Sequence, residues 1–336
     1  MFKQLKYLLF LALFLVILLA AGFALMAFSA ISLRATPLEF QISAGSSLRA
    51  SAQQMRAQGV GLNPWLFSLL GKLMRAEASI KAGSYEINQG ITPFLLIKKL
   101  SDGEVTQAAL TFVEGETFRQ MRARLDAHPA LRHDSQGLSE AEILRRLGAT
   151  QKHAEGLFFP DTYLVPKYSS DLALLARAYH AMQQHLAAAW ATRAPDLPYR
   201  NVDELLTMAS IIEKETGIAA DRPKIAAVFV NRLRQGMLLQ TDPSVIYGLV
   251  HENQSFDGNL RKRDLLKDTP YNTYTRAGLP PSPIALPGLA SLQAAVHPEQ
   301  SRALYFVARG DGSSQFSLTL DEHNQAVRRY QKGGKR

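Results

Sequence analysis

The residue in this sequence best placed to do chemistry is a glutamate on what reads as the wrong face of a helix. The run from Asn201 to Gly217 opens on cap-type residues and closes on glycine, so it reads as one helix. At about 100° per residue from Val202, Leu206 falls at about 40°, Ala209 at about 340°, Leu205 at about 300° and Ile212 at about 280°. Glu213 falls at about 20°, inside that apolar stripe. Glu215 and Glu204, at about 220° and about 200°, fall with the polar residues, and Lys214, at about 120°, also lies off the stripe. A carboxyl facing a core must be paired, neutral or lining a cleft. Desolvation makes a carboxyl hold its proton, which is what a general acid near neutral pH requires. The same position also suits a structural ion pair with an arginine, and the wheel alone admits both.

Three other stretches are dense in aromatic, amide, hydroxyl and turn residues, a combination that suits sugars through ring stacking and polar contacts. They are residues 155–163 (Glu-Gly-Leu-Phe-Phe-Pro-Asp-Thr-Tyr), residues 239–248 with Thr241-Asp242-Pro243-Ser244, and residues 270–274 followed by Gly278-Leu279-Pro280-Pro281. Singly, each also reads as a rigid turn, because Pro and Gly at this density punctuate loops whatever their function. Together they suggest a cleft wall. Other chemistries lack their residues. There is no cysteine, hence no thiolate nucleophile, disulfide framework or zinc ribbon. The eight histidines show no H-E-x-x-H spacing, and G-x-S-x-G, the P-loop and G-x-G-x-x-G are all absent. No cofactor or metal is expected.

The elements that must position these residues read as α+β. Residues 40–42 and 82–87 pattern as strands, residues 48–58, 64–73 and 93–100 as helices, and residues 107–113 alternate like a strand. This is a small mixed module. After Glu114-Gly115-Glu116 the chain turns helix-rich, with helices expected at 118–126, 139–147 and 171–192 and the Glu213 helix beyond a Pro195–Pro198 linker. Residues 303–308 and 315–318 flank Gly310-Asp311-Gly312 as a hairpin, and a last helix is expected over 320–331.

The net charge of +9 first suggests nucleic acid or anionic lipid. Lys3 and Lys6 supply two of those charges and residues 328–336 supply five, so residues 7–327 carry only +2. No basic stripe interleaved with aromatics tracks a phosphate backbone, and nucleic acid is not an expected partner. Between Lys6 and Arg34 there is no charge at all. A spanning helix needs about 20 apolar residues, and a cleaved signal has an apolar region of only about 7–15. Residues 7–33 are therefore expected to be an uncleaved anchor, with a cytoplasmic stub over residues 1–6 and the rest translocated.

The motifs now resemble a known family. Glu213-Lys214-Glu215-Thr216 on its helix, Phe159-Pro160-Asp161-Thr162-Tyr163, residues 241–248, and Tyr271-Asn272-Thr273-Tyr274 before Gly-Leu-Pro-Pro-x-Pro-Ile resemble the bacterial endolytic murein transglycosylases of the MltG (YceG-like) family. The likeness covers nearly the whole chain. It implies a single-pass inner-membrane protein with a LysM-like module over residues 34–112 and a periplasmic catalytic domain over residues 113–336. It implies cleavage inside nascent peptidoglycan strands, limiting their length, and proximity to peptidoglycan synthases. The first Glu of the family's Glu-Lys-Glu-Thr motif is the catalytic one and corresponds to Glu213. Phe159, Asp161, Tyr163, Thr241, Asp242, Tyr247, Tyr271, Asn272 and Tyr274 would then bind the glycan. The rival readings are a muramidase of the same bond with Asp242 as second carboxylate, and a non-catalytic peptidoglycan-binding scaffold.

Overall fold

The computed structural model describes residues 2–76, 79–251, 256 and 258–332. Lys335 and Arg336 of the basic tail lie outside the described residues. Helix starts follow the local capping chemistry. The side chains of Ser47, Asn63, Thr92, Thr117, Ser139 and Asn201 each accept an N–H from the first turn of the helix that follows. Pro64 and Pro93 occupy first helical positions, where the missing N–H costs nothing. The chain divides into two compact units.

The first unit runs to Ala109 and takes in residues 130–132 and 164–169. It contains α1 (Phe2–Phe28), β1 (Ser32–Leu33), β2 (Leu38–Ile42), α2 (Leu48–Ala57), β3 (Val60–Gly61), α3 (Pro64–Leu73), β4 (Gly83–Ile87), α4 (Pro93–Asp102) and the start of β5 (Gln107–Thr111). Strand β2 alternates strictly, with Leu38, Phe40 and Ile42 inward, and pairs antiparallel with β4. Phe40 and Tyr85 stack across that pair at 5.7 Å, and Met55, Phe67, Leu96, Ile97 and Leu100 from the helices complete the core. Gly103, with φ +72°, provides the left-handed cap that ends α4.

One expectation is corrected here. The apolar run predicts a membrane-spanning helix over residues 7–33, but α1 stops at Phe28 and Ser32–Leu33 pairs antiparallel with Val60–Gly61. The Ser29 hydroxyl donates to the Leu25 carbonyl at the helix end, and the Ile31 amide donates to the Ile91 carbonyl. Ala27 and Ile31 are buried in the module's core. The end of the run therefore serves protein packing. Residues Lys3–Phe28 remain long and apolar enough to cross a membrane.

The second unit holds α5 (Phe118–Asp126) and, past β6 (Leu131–Arg132), which counts with the first unit, α6 (Glu140–Leu147), the start of β7 (Thr162–Pro166), the end of β8 (Ser169–Ser170), α7 (Asp171–Ala191), α8 (Val202–Glu215), α9 (Arg222–Arg234), α10 (Asp242–His251), α11 (Lys262–Leu265), α12 (Leu289–Val296), β9 (Tyr305–Ala308), β10 (Ser314–Ser317) and α13 (Leu320–Val327). Helix α8 is its axis. It packs against α7, α9, α10 and α12, and every residue from Leu205 to Ile212 is buried. Its polar residues in that stretch satisfy themselves locally, Thr207 donating to the Asp203 carbonyl and Ser210 to that of Thr207. Strands β9 and β10 pair antiparallel. The helix-rich α+β class is what the structure has.

Candidate active site

Glu213 sits on the last turn of α8, and its side chain is only 5% exposed. Oε1 accepts from Arg222 Nη2 at 3.3 Å, and Oε2 accepts from the Gly288 amide at 2.9 Å. Arg222 opens α9 and reaches the carboxylate with its side chain, while Gly288, the N-cap of α12, presents its backbone amide. Arg222 is itself buried, and its Nε finds no acceptor among the described residues. The helix ends not on Gly217, as the sequence suggested, but because Thr216 turns extended.

The next residue, Lys214, donates from Nζ to the Gly115 carbonyl at 3.0 Å. Gly115 and Glu116 exchange backbone hydrogen bonds with Leu286, 2.8 Å each. This double bond clamps the 114–116 turn beside residues 286–288. Glu114 stands there with its carboxyl against Gly288. Burial and then the charge of Glu213 push the Glu114 carboxyl up, with Arg222 opposing. Glu114 carried no weight in the sequence, where Glu-Gly-Glu marked only a boundary.

Two further carboxyls are protonated well above the usual range. Glu215, placed by the wheel among the polar residues, is in fact enclosed beside Thr241, Arg232 and Asp242. Burial pushes its carboxyl up to about 7, the hydrogen bond from the Thr241 hydroxyl opposing and the Asp242 charge adding. The wheel misplaced Glu215 because it assumes one wet side, whereas α8 is packed on nearly all of its sides. Glu155 is buried, accepts the Phe118 amide at 2.8 Å and the Tyr247 hydroxyl at 3.1 Å, and is likewise pushed up to about 7 by burial. A cleft of about 720 Å³ is lined by Glu155, Arg200, Asp203 and residues 277–283, and Glu213 is not among its walls. A second cleft of about 540 Å³ shares Glu155 and adds Arg119, Tyr247 and His251.

The aromatic and polar motif residues turn out to be loop builders for the most part. Phe159 is buried, its ring 4.0 Å from that of His185. Tyr163 is buried and donates to the Phe159 carbonyl, and burial pushes its phenol up to about 12. Asn272 is fully buried and staples its loop by donating to the Leu265 and Lys267 carbonyls. Thr241 and Tyr271 are buried too, Tyr271 sharing a hydrogen bond with Ser282. All five are buried, and the side-chain polar atoms of Tyr163, Thr241, Tyr271 and Asn272 are hydrogen-bonded within the protein. Asp161, Asp242, Tyr247 and Tyr274 keep surface. Asp242 accepts the Tyr274 hydroxyl at 2.5 Å and its charge acts on Glu215. The only residues that could hold a cation among those described are Asp126, His133 and Asp171, whose ligand atoms lie within 4.8 Å of one another. Asp171 already accepts the Ser135 amide and hydroxyl.

A model of the YceG-like family matches residues 40–329, which include all of these centres. The chain belongs to the YceG-like family. Among its relatives, an endolytic murein transglycosylase of Bacillus subtilis (strain 168) is 32% identical over 313 residues, spanning 88% of this chain and 85% of that protein. One of Streptococcus pneumoniae serotype 2 is 28% identical over 318 residues, covering 85% of this chain and 57% of that longer relative. The crystal structure of a YceG-like protein from Listeria monocytogenes is 31% identical and superimposes with a TM-score of 0.53, covering 86% of this chain and 98% of that one.

Proposed function

We propose that this YceG-like protein is a membrane-anchored endolytic transglycosylase that cuts peptidoglycan glycan strands, with Glu213 as its acid. The observation that carries the reading is the Glu213 carboxyl fixed between the Arg222 guanidinium and the Gly288 amide at the end of a buried helix. It sits in a chain aligned over most of its length with endolytic murein transglycosylases. The longer of the two bonds, from Arg222, is the one a substrate oxygen would displace.

Protonation of the glycosidic oxygen of a MurNAc–GlcNAc β-1,4 bond lets C1 leave with oxocarbenium character. The C6 hydroxyl of the same MurNAc then closes on C1 as its proton passes to the Glu213 carboxylate, giving a 1,6-anhydro end and restoring the acid. An intramolecular nucleophile has a high effective molarity, so neither metal nor external water is required. The helices α2 and α3 between the antiparallel strands β2 and β4 support a LysM-like, glycan-holding role for residues 34–112. Helix α1 supports a single-pass inner-membrane anchor with the body in the periplasm, close to peptidoglycan synthases whose strands it would terminate.

The test is mass spectrometry of glycan strands digested by the full-length protein in detergent. Anhydro-terminated internal fragments are expected, and Glu213→Gln should slow their release by at least about a hundredfold. Reducing ends without anhydro sugar would instead mean hydrolysis, and no cleavage at all would mean a scaffold.

A further inference from the structure

The small module is joined to α1 by packing, without a free linker. Phe23 packs against the module's core and Ala27 lies in it, four residues apart on one side of the helix. At the helix end the Phe28 ring meets that of Phe94, centroids 5.3 Å apart, and just beyond it the Ile31 amide donates to the Ile91 carbonyl. The first turn of α4 is thereby fixed against the last turn of α1. Helix length then sets the height of that turn in a membrane. From Tyr7, which follows Lys6, to Phe28 the helix rises about 33 Å, against a hydrocarbon core about 30 Å thick. With Lys6 kept among the cytoplasmic headgroups, Phe28 reaches only the far edge of that core, and the start of α4 is held there with it.

The outer face of α4 suits that height. Leu96, Ile97 and Leu100 are fully buried in the module, whereas Leu95 is 48% exposed and Lys98 is exposed. At about 100° per residue from Phe94, Lys98 falls at about 40° and Leu95 at about 100°, with Leu100 across the helix at about 240°. Along that face the apolar pair comes first, the lysine one turn later and Asp102 at the end, the order of acyl chains, phosphates and water. We propose that Phe94, Leu95 and Lys98 form a membrane-contact surface, seated in the phospholipid leaflet where the C-terminal end of α1 emerges. Phe94 and Leu95 enter the upper acyl chains beside Phe28, and the Lys98 ammonium meets lipid phosphates. This rests on the reading of α1 as a membrane anchor. Its consequence is a module that stays on the membrane, so that any glycan it binds is held at headgroup height.

The chain has no cysteine, so a single introduced thiol can carry a fluorophore. Full-length protein with Phe10→Cys, Leu95→Cys or Lys98→Cys is labelled with nitrobenzoxadiazole and reconstituted into vesicles of phosphatidylethanolamine and phosphatidylglycerol. Lipid nitroxides of known depth and aqueous iodide serve as quenchers. The label at position 95 should lose at least about half its emission to nitroxides high on the acyl chain, and iodide should quench it at least about threefold less than the free dye. Adding Leu95→Asp to Lys98→Cys should raise iodide quenching of the label at position 98 at least about twofold at an unchanged melting temperature, because a carboxylate lifts the turn out of the lipid. Insertion driven by the dye would not respond to that change. A label at position 95 that is as open to iodide as the free dye and untouched by lipid nitroxides overturns the proposal. So does a folded Leu95→Asp protein whose label at position 98 is quenched as before. If the label at position 10 itself escapes nitroxides deep in the bilayer, it is the anchor reading that fails.

Discussion

Burial sets the ionisation of Glu155 and Glu215, and this makes the protein's stability depend on pH in an unusual direction. Both carboxyls hold a proton in the folded state up to about 7, against an ordinary value of 4.5. Between those values the folded chain binds more protons than the unfolded one, so stability falls as pH rises. The contribution is fully present below about pH 4.5 and is lost as pH passes through about 7. At about 1.4 kcal/mol per pKa unit, each residue contributes on the order of 3 kcal/mol at the acid end. Glu155→Gln keeps an acceptor for the Phe118 amide and removes the titration. Its melting temperature should therefore fall less than that of wild type between about pH 5 and about pH 8, by calorimetry at matched ionic strength. Parallel curves would show that Glu155 does not titrate in that window. Glu213 was legible because an acid interrupts an apolar stripe. Glu155 was not, because it stands in a turn stretch with no periodicity to violate.

At the scale of elements, α8 and the 284–288 segment form one device. Ser210, fully buried on α8, accepts the Ile284 amide at 3.0 Å. Two residues on, Leu286 holds the Glu114 turn, and two further the Gly288 amide holds Glu213. Ser210→Ala would leave the buried Ile284 amide without its acceptor, at a cost of about 1–3 kcal/mol. The expected outcome is a lower melting temperature and slower strand cleavage from a loosened Gly288, with KM nearly unchanged. Full activity in a destabilised variant would uncouple the segment from the centre. Helix starts were readable from the sequence because caps act over three or four residues, as at Asn63-Pro64 and Thr92-Pro93. The partners of the site were not, because they come from afar. Gly288 lies 75 residues from Glu213, and Gly115 lies 99 from Lys214. Arg222 is only nine residues from Glu213, but it lies across a helix break that no wheel crosses.

Over the whole molecule, the apolar N-terminal run does two jobs that composition cannot separate. Leu8, Leu9, Phe10, Leu11 and Phe14 are each more than half exposed and find no packing within the chain, as a lipid-facing helix would leave them. Ala27 and Ile31 instead lie in the core of the first unit, and Leu33 sits in a strand paired with Val60. An exported form beginning at Ser29 should keep the Ile31 and Leu33 contacts, whereas one beginning at Arg34 loses both. Burying Ile31 alone is worth about 1.5–3 kcal/mol, and a loss of that size shifts the melting of a module of this size by about 10 °C. The form beginning at Arg34 should accordingly melt lower than the form beginning at Ser29, by circular dichroism in the same buffer. Equal melting would assign residues 29–33 to the anchor, as the unbroken hydropathy of the run suggests. A lower melting temperature for the form beginning at Arg34 would place the boundary between lipid and protein core inside a stretch whose residues are apolar for both.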